Sequence, residues 1–488
     1  MKKTIRLISL VMACFMMLFA FAACGDKEEK SNESQAPAES AGIELGVAKE
    51  DNGGKAIKIL YTKDLATMDV SEEYSNDRVS TAMFTRDVNV KEYLGINIEY
   101  YLEDGSWSAR NAFNQKIQAS AQAGADYDYD MVVAYSSCSL INNATMGCYK
   151  NMYDYTDILD FEQNWWIESI DEYAINGKLY SAYGDASLSL YSQMAAIFFN
   201  QELVSNYKIE SPYELVNKNQ WTYEKMTQLA LGVSENLDDD AAISYEKDIV
   251  GYLQYNVSAR GWLTALDIDL IDVGADGSMS IAQSPSEKLI DVYNYFYDLF
   301  TYNSNCYSGD GGDVCDCFVD GRGLFLYGKL EMVDTHSFGA MTDDWGIVPV
   351  PKYSYEQEDY RSPLGTSAGM WCIMSNTAEP QLCAKTLEVM SYFTHKGAVD
   401  EYYVRTLGEQ RARDPQVSSM LEIIRNTSTL TFAAVYNDAF SPNMFNLLQM
   451  DENWRSESKV GQNVSTYWGG NYRAWRANLT TLLSDFSK

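Results

Sequence analysis

The sequence predicts an α/β protein of two lobes, carried behind an export leader and a polar tether. Three observations lead there. From Ala56 onward, strand-like and helix-like segments alternate, the pattern that writes a parallel sheet. About 435 residues follow the tether, more than one hydrophobic core usually holds. No repeat at solenoid or propeller periods and no proline-rich linker divides them, so the chain must cross between its lobes more than once.

The leader comes first. Lys2, Lys3 and Arg6 precede an apolar run from Leu7 to Ala23, after which the chain turns abruptly polar, as secretory signal peptides do. The run ends in FAAC, Phe21 to Cys24, followed by Gly25 and Asp26. That ending resembles the bacterial lipobox, although Phe21 stands where Leu is usual. The resemblance implies cleavage after residue 23 and acylation of Cys24, which would anchor the protein to the outer face of the cytoplasmic membrane. The alternative is an ordinary signal peptide that releases a soluble protein. Residues 24–54 are rich in Glu, Ser, Ala, Lys and Gly and lack aromatic residues, so they read as a disordered tether.

Composition narrows the function of the rest. A formal charge of −32 argues against nucleic acid as a partner, and no basic amphipathic stretch suggests peripheral membrane binding. His336 and His395 are the only histidines, too few for a His-rich metal site, and no cofactor is expected. Seven cysteines lie beyond Cys24, an odd number. Cys138 with Cys148, and Cys372 with Cys383, are close enough in sequence to be bridged, which spacing alone does not establish. Cys306, Cys315 and Cys317 stand beside Asp310, Asp313, Asp316 and Asp320, at spacings that fit neither an EF-hand nor a zinc ribbon and read as a solvated acidic loop.

AIKILY from Ala56 reads as the first strand. Val79, Met83, Val90 and Leu94 then recur at helical spacing, with Gly95 placed to stop that helix. INIEYY is the second strand. Ser108 is a candidate cap for the next helix, with Phe113 and Ile117 on its apolar face and Gly124 at its end. MVVAY, Met131 to Tyr135, is a continuous apolar run, as expected of a strand covered on both faces. Further on, Thr222 to Leu231 reads as a helix, and SPSE at Ser284 to Glu287 combines a capping box with proline at the first helical position. GRGLFLYGKLEM and DWGIVPVP read as two strands. A helix follows from Pro380 to Gly397, and the last ninety residues read as mainly helical.

Several ordered segments together resemble the extracellular solute-binding proteins of family 1, the group that includes the maltose-binding protein. They are INGKLYSAYG (Ile175 to Gly184), MAAIFFNQEL (Met194 to Leu203), WTYEKM, GRGLFLYG, WGIVPVPK and GTSAGMWCIMSNTAEP (Gly365 to Pro380). The resemblance implies a periplasmic-binding-protein-like fold with several interlobe crossovers: 55–193 plus 343–395 in the first lobe, 194–342 plus 396–488 in the second. It also implies a monomeric receptor that closes over a small solute and presents it to an ABC permease, with no catalytic group.

Sugar sites combine aromatic platforms with carboxylates, amides and arginines, and this chain has ten Trp and thirty-six Tyr. Tyr135 and Ser136 lie at the carboxyl end of an expected parallel strand, where open α/β sheets bind ligands. By position in the family pattern, Trp165, Trp166 and Asp185 are candidates in the first lobe. Tyr255, Asn256, Arg260, Trp262, Lys329 and Glu331 are candidates in the second, with Trp371 after the GTSAG turn and Arg413 and Asp414 in RARD. Trp262 is the leading aromatic candidate. Packing is the competing role for every Trp and Tyr among them.

Two other functions fit the same composition. Glycoside hydrolases also combine tryptophans with paired carboxylates, although no nucleophile elbow, HExxH, Walker loop or dinucleotide fingerprint appears here. The same fold also serves receptors for peptides and other polar solutes. Aromatic abundance favours a sugar, and the acidic composition argues against anionic solutes such as phosphate.

Overall fold

A computed structural model describes residues 44–238, 242–274, 277–404, 415–448 and 463–487. The expected leader, Cys24, Arg413 and Asp414 lie outside the described residues. The chain divides into a unit Met1–Glu44, of which only Glu44 is described, and a unit Leu45–Lys488, to which everything below refers.

The first sheet is built from β1 (Lys55–Thr62), β2 (Ile96–Glu103) and β3 (Met131–Tyr135). β1 pairs in parallel with both β2 and β3, as the strand–helix alternation requires. The connecting helix Arg78–Leu94 buries Val79, Met83, Val90 and Leu94. Asp77 caps its start by accepting from the Ser80 amide, and Gly95 ends it in the left-handed conformation at φ 58°. A Cβ on Gly95 would come 2.6 Å from the Asp51 Cα, so the close approach as well as the dihedral requires glycine. The next helix, Arg110–Gln122, has no side-chain cap; the Ser108 hydroxyl lies 3.1 Å from Ser106 instead.

The second sheet has six strands. β4 (Ala195–Asn200), β5 (Ser234–Glu235) and β6 (Ile249–Tyr255) are followed by a small hairpin of β7 (Asp272–Val273) with β8 (Met279–Ser280). β9 (Cys306–Gly309), β10 (Gly323–Lys329) and β11 (Trp345–Val348) complete it, in the order β11-β4-β10-β6-β5 with β9 also on β6. β6, β9 and β10 run parallel to one another, whereas β4 runs antiparallel to β10 and β11. Trp345–Val348, expected in the first lobe, is therefore a strand of the second sheet, and the chain returns only after it. β12 (Ser362–Pro363) precedes that return and pairs in parallel with β14 (Ser428–Thr429) from further along the chain. β13 (Gly369–Ile373) then closes the first sheet, antiparallel to β3.

Four local expectations change. Residues 45–54 are not a free tether: Val47 is buried, the Glu50 amide donates to Tyr93 O at 3.0 Å, and Lys385 pairs with Glu50 at 2.8 Å. This segment supplies donors to the last carbonyls of helix Arg78–Leu94, which have no partner within the helix. Ser286, not Ser284, caps the helix Glu287–Tyr302 by accepting from the Leu289 amide, so Pro285 precedes the cap. The helix starting at Pro380 does not stop at Gly397; it passes through a wider turn over Thr394–Ala398 into Val399–Val404. Cys315 and Cys317 are buried on a helix, Gly311–Val319, whose cap is Asp310, so the acidic stretch is not a solvated loop.

The seven cysteines among the described residues are buried and free, including both pairs close enough in sequence to be bridged. No helix among the described residues is long and apolar enough to cross a membrane.

Candidate functional site

Topology brings the edges of the two sheets together. β6 and β10 run parallel and finish side by side, at Tyr255 and Lys329. β4 runs the other way with Ala195 opposite Lys329, so its start joins the same edge. In the first sheet Gly369 stands opposite Tyr135, which sets the Gly365–Ser367 segment at the carboxyl end of β3. The edges then meet directly: the Gly365 amide donates to Gln193 O at 2.9 Å, and the Ser136 hydroxyl to Thr366 O at 3.3 Å. Carboxyl ends of parallel strands are where open α/β sheets leave a crevice.

That crevice encloses a cavity of about 180 Å³, lined among others by Gln193, Tyr255, Ser258, Arg260, Lys329 and Thr366. Tyr327 and Phe445 add two further rings to its wall. The polar groups on one side are locked to each other. Lys329 Nζ donates to Gln193 Oε1 at 2.8 Å and to Glu331 Oε1 at 2.9 Å, and Gln193 Nε2 donates to Glu331 Oε2 at 2.7 Å. On the other side, Tyr327 Oη donates to Ser258 O at 2.9 Å and holds the turn Ser258–Arg260. Gly261 follows because a Cβ there would lie 2.4 Å from Tyr327 Oη and 2.8 Å from a Pro363 carbon.

The candidates named from sequence divide by position. Tyr255, Arg260 and Lys329 line this cavity; Glu331 holds Lys329, and Ser136 holds Thr366. Tyr135 is half-buried beside it and donates its hydroxyl to the Asp64 carboxylate, while burial pushes its pKa up. Asn256 is fixed through its backbone amide to Gly309 O at 2.9 Å, with its side-chain oxygen buried and unpartnered.

The four candidate tryptophans are buried and packed against neighbouring side chains. Trp262 is fully buried behind the cavity, stacked on Tyr327 at 5.1 Å, with its indole N–H on Gln254 Oε1 at 2.9 Å. Trp371 donates to Ser187 Oγ at 2.8 Å and packs edge-on against Tyr61. Trp165 and Trp166 both donate to the Glu388 carboxylate, at 3.1 and 3.2 Å. Burial raises the Glu388 pKa to about 8 against the effect of those two N–H donors. Trp166 and Asp185 border a separate cavity of about 380 Å³. Asp185 there accepts from Tyr191 Oη at 2.7 Å and Arg425 at 3.0 Å, and lies 2.7 Å from His395 Nδ1.

Gln193, Ser258, Thr264, Thr366, Ser367 and Phe445 line the first cavity without having been singled out in the sequence. The polar GTS of the GTSAG turn was the available signal for two of them, but its place at the carboxyl end of β3 depends on an antiparallel pairing that sequence does not announce.

No family model matches the sequence, and no curated protein matches it. Solved structures do. A cyclo/maltodextrin-binding protein complexed with maltotetraose aligns at TM-score 0.54 and 12% identity, over 90% of this chain and 98% of that one. The GacH receptor of Streptomyces glaucescens, solved unliganded and with acarbose, aligns at 0.52 and 13%, over 88% and 99%. UgpB from Mycobacterium tuberculosis, in complex with glycerophosphocholine, aligns at 0.52 and 12%, over 89% and 100%. Together with the two sheets and the crossings between them, these likenesses show that the chain has the two-lobed, periplasmic-binding-protein-like α/β fold expected from its sequence.

Proposed function

We propose that the protein is a family 1 solute-binding receptor of an ABC importer, and that its guest is a sugar held in the cavity beside Arg260. The observation that carries this reading is the cavity itself. It lies at the meeting edges of both sheets and combines three rings, an amide, several hydroxyls and two cations, the mixture that pairs with sugar faces and hydroxyls. The sugar-bound structures that share the fold support it. A hydrolase needs two carboxylates flanking the scissile bond. Beside this cavity the Glu331 carboxylate is held by Lys329 and Gln193.

The receptor would act as a monomer, presenting its closed, loaded form to a permease. A thermal-shift screen over mono- and oligosaccharides, nucleosides and peptides tests the guest class. A saccharide at a hundredfold excess over its Kd stabilises the native state by about 2.7 kcal/mol and raises the melting temperature. Shifts from peptides or nucleosides alone would remove the sugar from this reading.

The leader completes the proposal: Cys24 carries the acyl anchor, on the outer face of the cytoplasmic membrane. Cell fractionation is expected to find the wild type with membranes and the Cys24→Ser variant without the membrane-bound form. Equal membrane retention of both would eliminate the anchor.

A further inference from the structure

The cavity differs in charge from the chain around it. The protein carries 69 acidic residues against 37 basic ones, yet the described lining holds Arg260 and Lys329 and no carboxylate. Lys329 is already neutralised by Glu331 at 2.9 Å. Arg260 is not. Its Nε donates to Val257 O at 3.1 Å, and its two terminal nitrogens have no hydrogen bond or ion pair among the described residues. Burial pushes its pKa down, and Asp438, the carboxylate that opposes this, forms no ion pair with it. A largely buried cation without a direct ion pair is costly.

Two further donors are unused beside it. Ser258, only 8% exposed and on the same turn, has a buried hydroxyl without a partner. The Tyr255 hydroxyl has no hydrogen-bond partner among the described residues. A fork of N–H groups flanked by hydroxyls matches a planar oxyanion. With Lys329 engaged by Glu331 and Asp438 acting on Arg260 only at a distance, the lining offers one directly unpaired cation, which suits a monoanion better than a phosphate dianion.

Resting on the receptor reading above, we propose that the guest is an acidic sugar, a saccharide whose carboxylate is received by the terminal nitrogens of Arg260. Calorimetric titration of the full-length protein with matched pairs tests it: glucuronate against glucose, galacturonate against galactose, and galacturonate against its methyl ester, with glucose 6-phosphate as the dianion. At least one uronate is expected to bind about 100-fold more tightly than its neutral partner, with the ester as weak as the neutral sugar. Arg260→Gln should abolish this preference, and Arg260→Lys should retain part of it. The ester comparison needs no variant, so a misfolded substitution does not spare the proposal. A neutral sugar binding as tightly as its uronate, or preference persisting in Arg260→Gln, would overturn the carboxylate and leave the sugar receptor standing. Preference for glucose 6-phosphate over glucuronate would overturn the monoanion. Absence of binding by every saccharide, acidic and neutral, would defeat both readings.

Discussion

Replacing Arg86 with methionine is expected to lower the unfolding free energy by about 3–5 kcal/mol. Arg86 sits on helix Arg78–Leu94 and is only 2% exposed. Its Nε donates to Asp87 Oδ1 at 2.8 Å, and its terminal nitrogens donate to Ala186 O at 3.0 Å, Asp69 O at 2.9 Å and Tyr100 Oη at 3.2 Å. One side chain thus ties the helix to the end of helix Lys63–Asp69 and to the segment before β4. Methionine would fill much of the volume but leave the buried Asp87 carboxylate uncompensated and two carbonyls without donors. Adding Asp87→Leu removes the stranded charge, so the double variant should regain part of the loss. Urea unfolding of the two single variants and the double variant measures the coupling. A loss below about 1 kcal/mol in Arg86→Met would contradict this account of the core.

Stability should also fall as pH rises from about 4.5 to about 8, through Glu388. Its folded pKa is raised by burial, with Asp160 adding to the effect and the two indole N–H groups opposing it. Between those pH values the unfolded carboxyl has lost its proton and the folded one keeps it. The native state then binds more protons, and stability declines as pH increases. Below the lower limit both states are protonated and the contribution is complete. At about 1.4 kcal/mol per pKa unit, the decline is on the order of 4 kcal/mol. Glu388→Gln cannot titrate, although its amide N–H faces one of the indole donors and costs a pH-independent amount. The readout is therefore the difference in melting temperature between wild type and variant across this range. The variant should gain on the wild type as pH rises, and parallel curves would assign the pH dependence to other groups.

The first sheet was legible because its signals are local. Apolar runs at Ile57–Tyr61 and Met131–Tyr135, a helix between strands and a glycine at its end fix three parallel strands without tertiary knowledge. The second sheet was less so. β11 and β13 join their sheets antiparallel and from far along the chain, and nothing in WGIVPVPK says which sheet it enters. The site followed the same division. Tyr255, Arg260 and Lys329, named by their place in the family pattern, do line the cavity: Tyr255 and Lys329 end strands and Arg260 ends the turn after β6. Trp262 shared that neighbourhood, but two residues beyond Arg260 the chain has turned, placing the ring in the core and the guanidinium on the cavity. Tryptophan abundance could not separate platforms from packing, because the carboxylate that satisfies Trp165 and Trp166 lies more than two hundred residues away. Net charge and cavity charge also differ. The net charge of −32 sums over the whole chain, whereas the described cavity wall carries Arg260 and Lys329 and no carboxylate.

The claim beneath all of this is that the edges of two sheets hold a saccharide and let it go unchanged. Calorimetry joined to mass analysis of the recovered solution tests it most directly. The prediction is one saccharide bound per chain, recovered chemically intact, with affinity reduced when Tyr255 or Arg260 is substituted. Cleavage of the bound sugar, or full affinity in both variants, would contradict it.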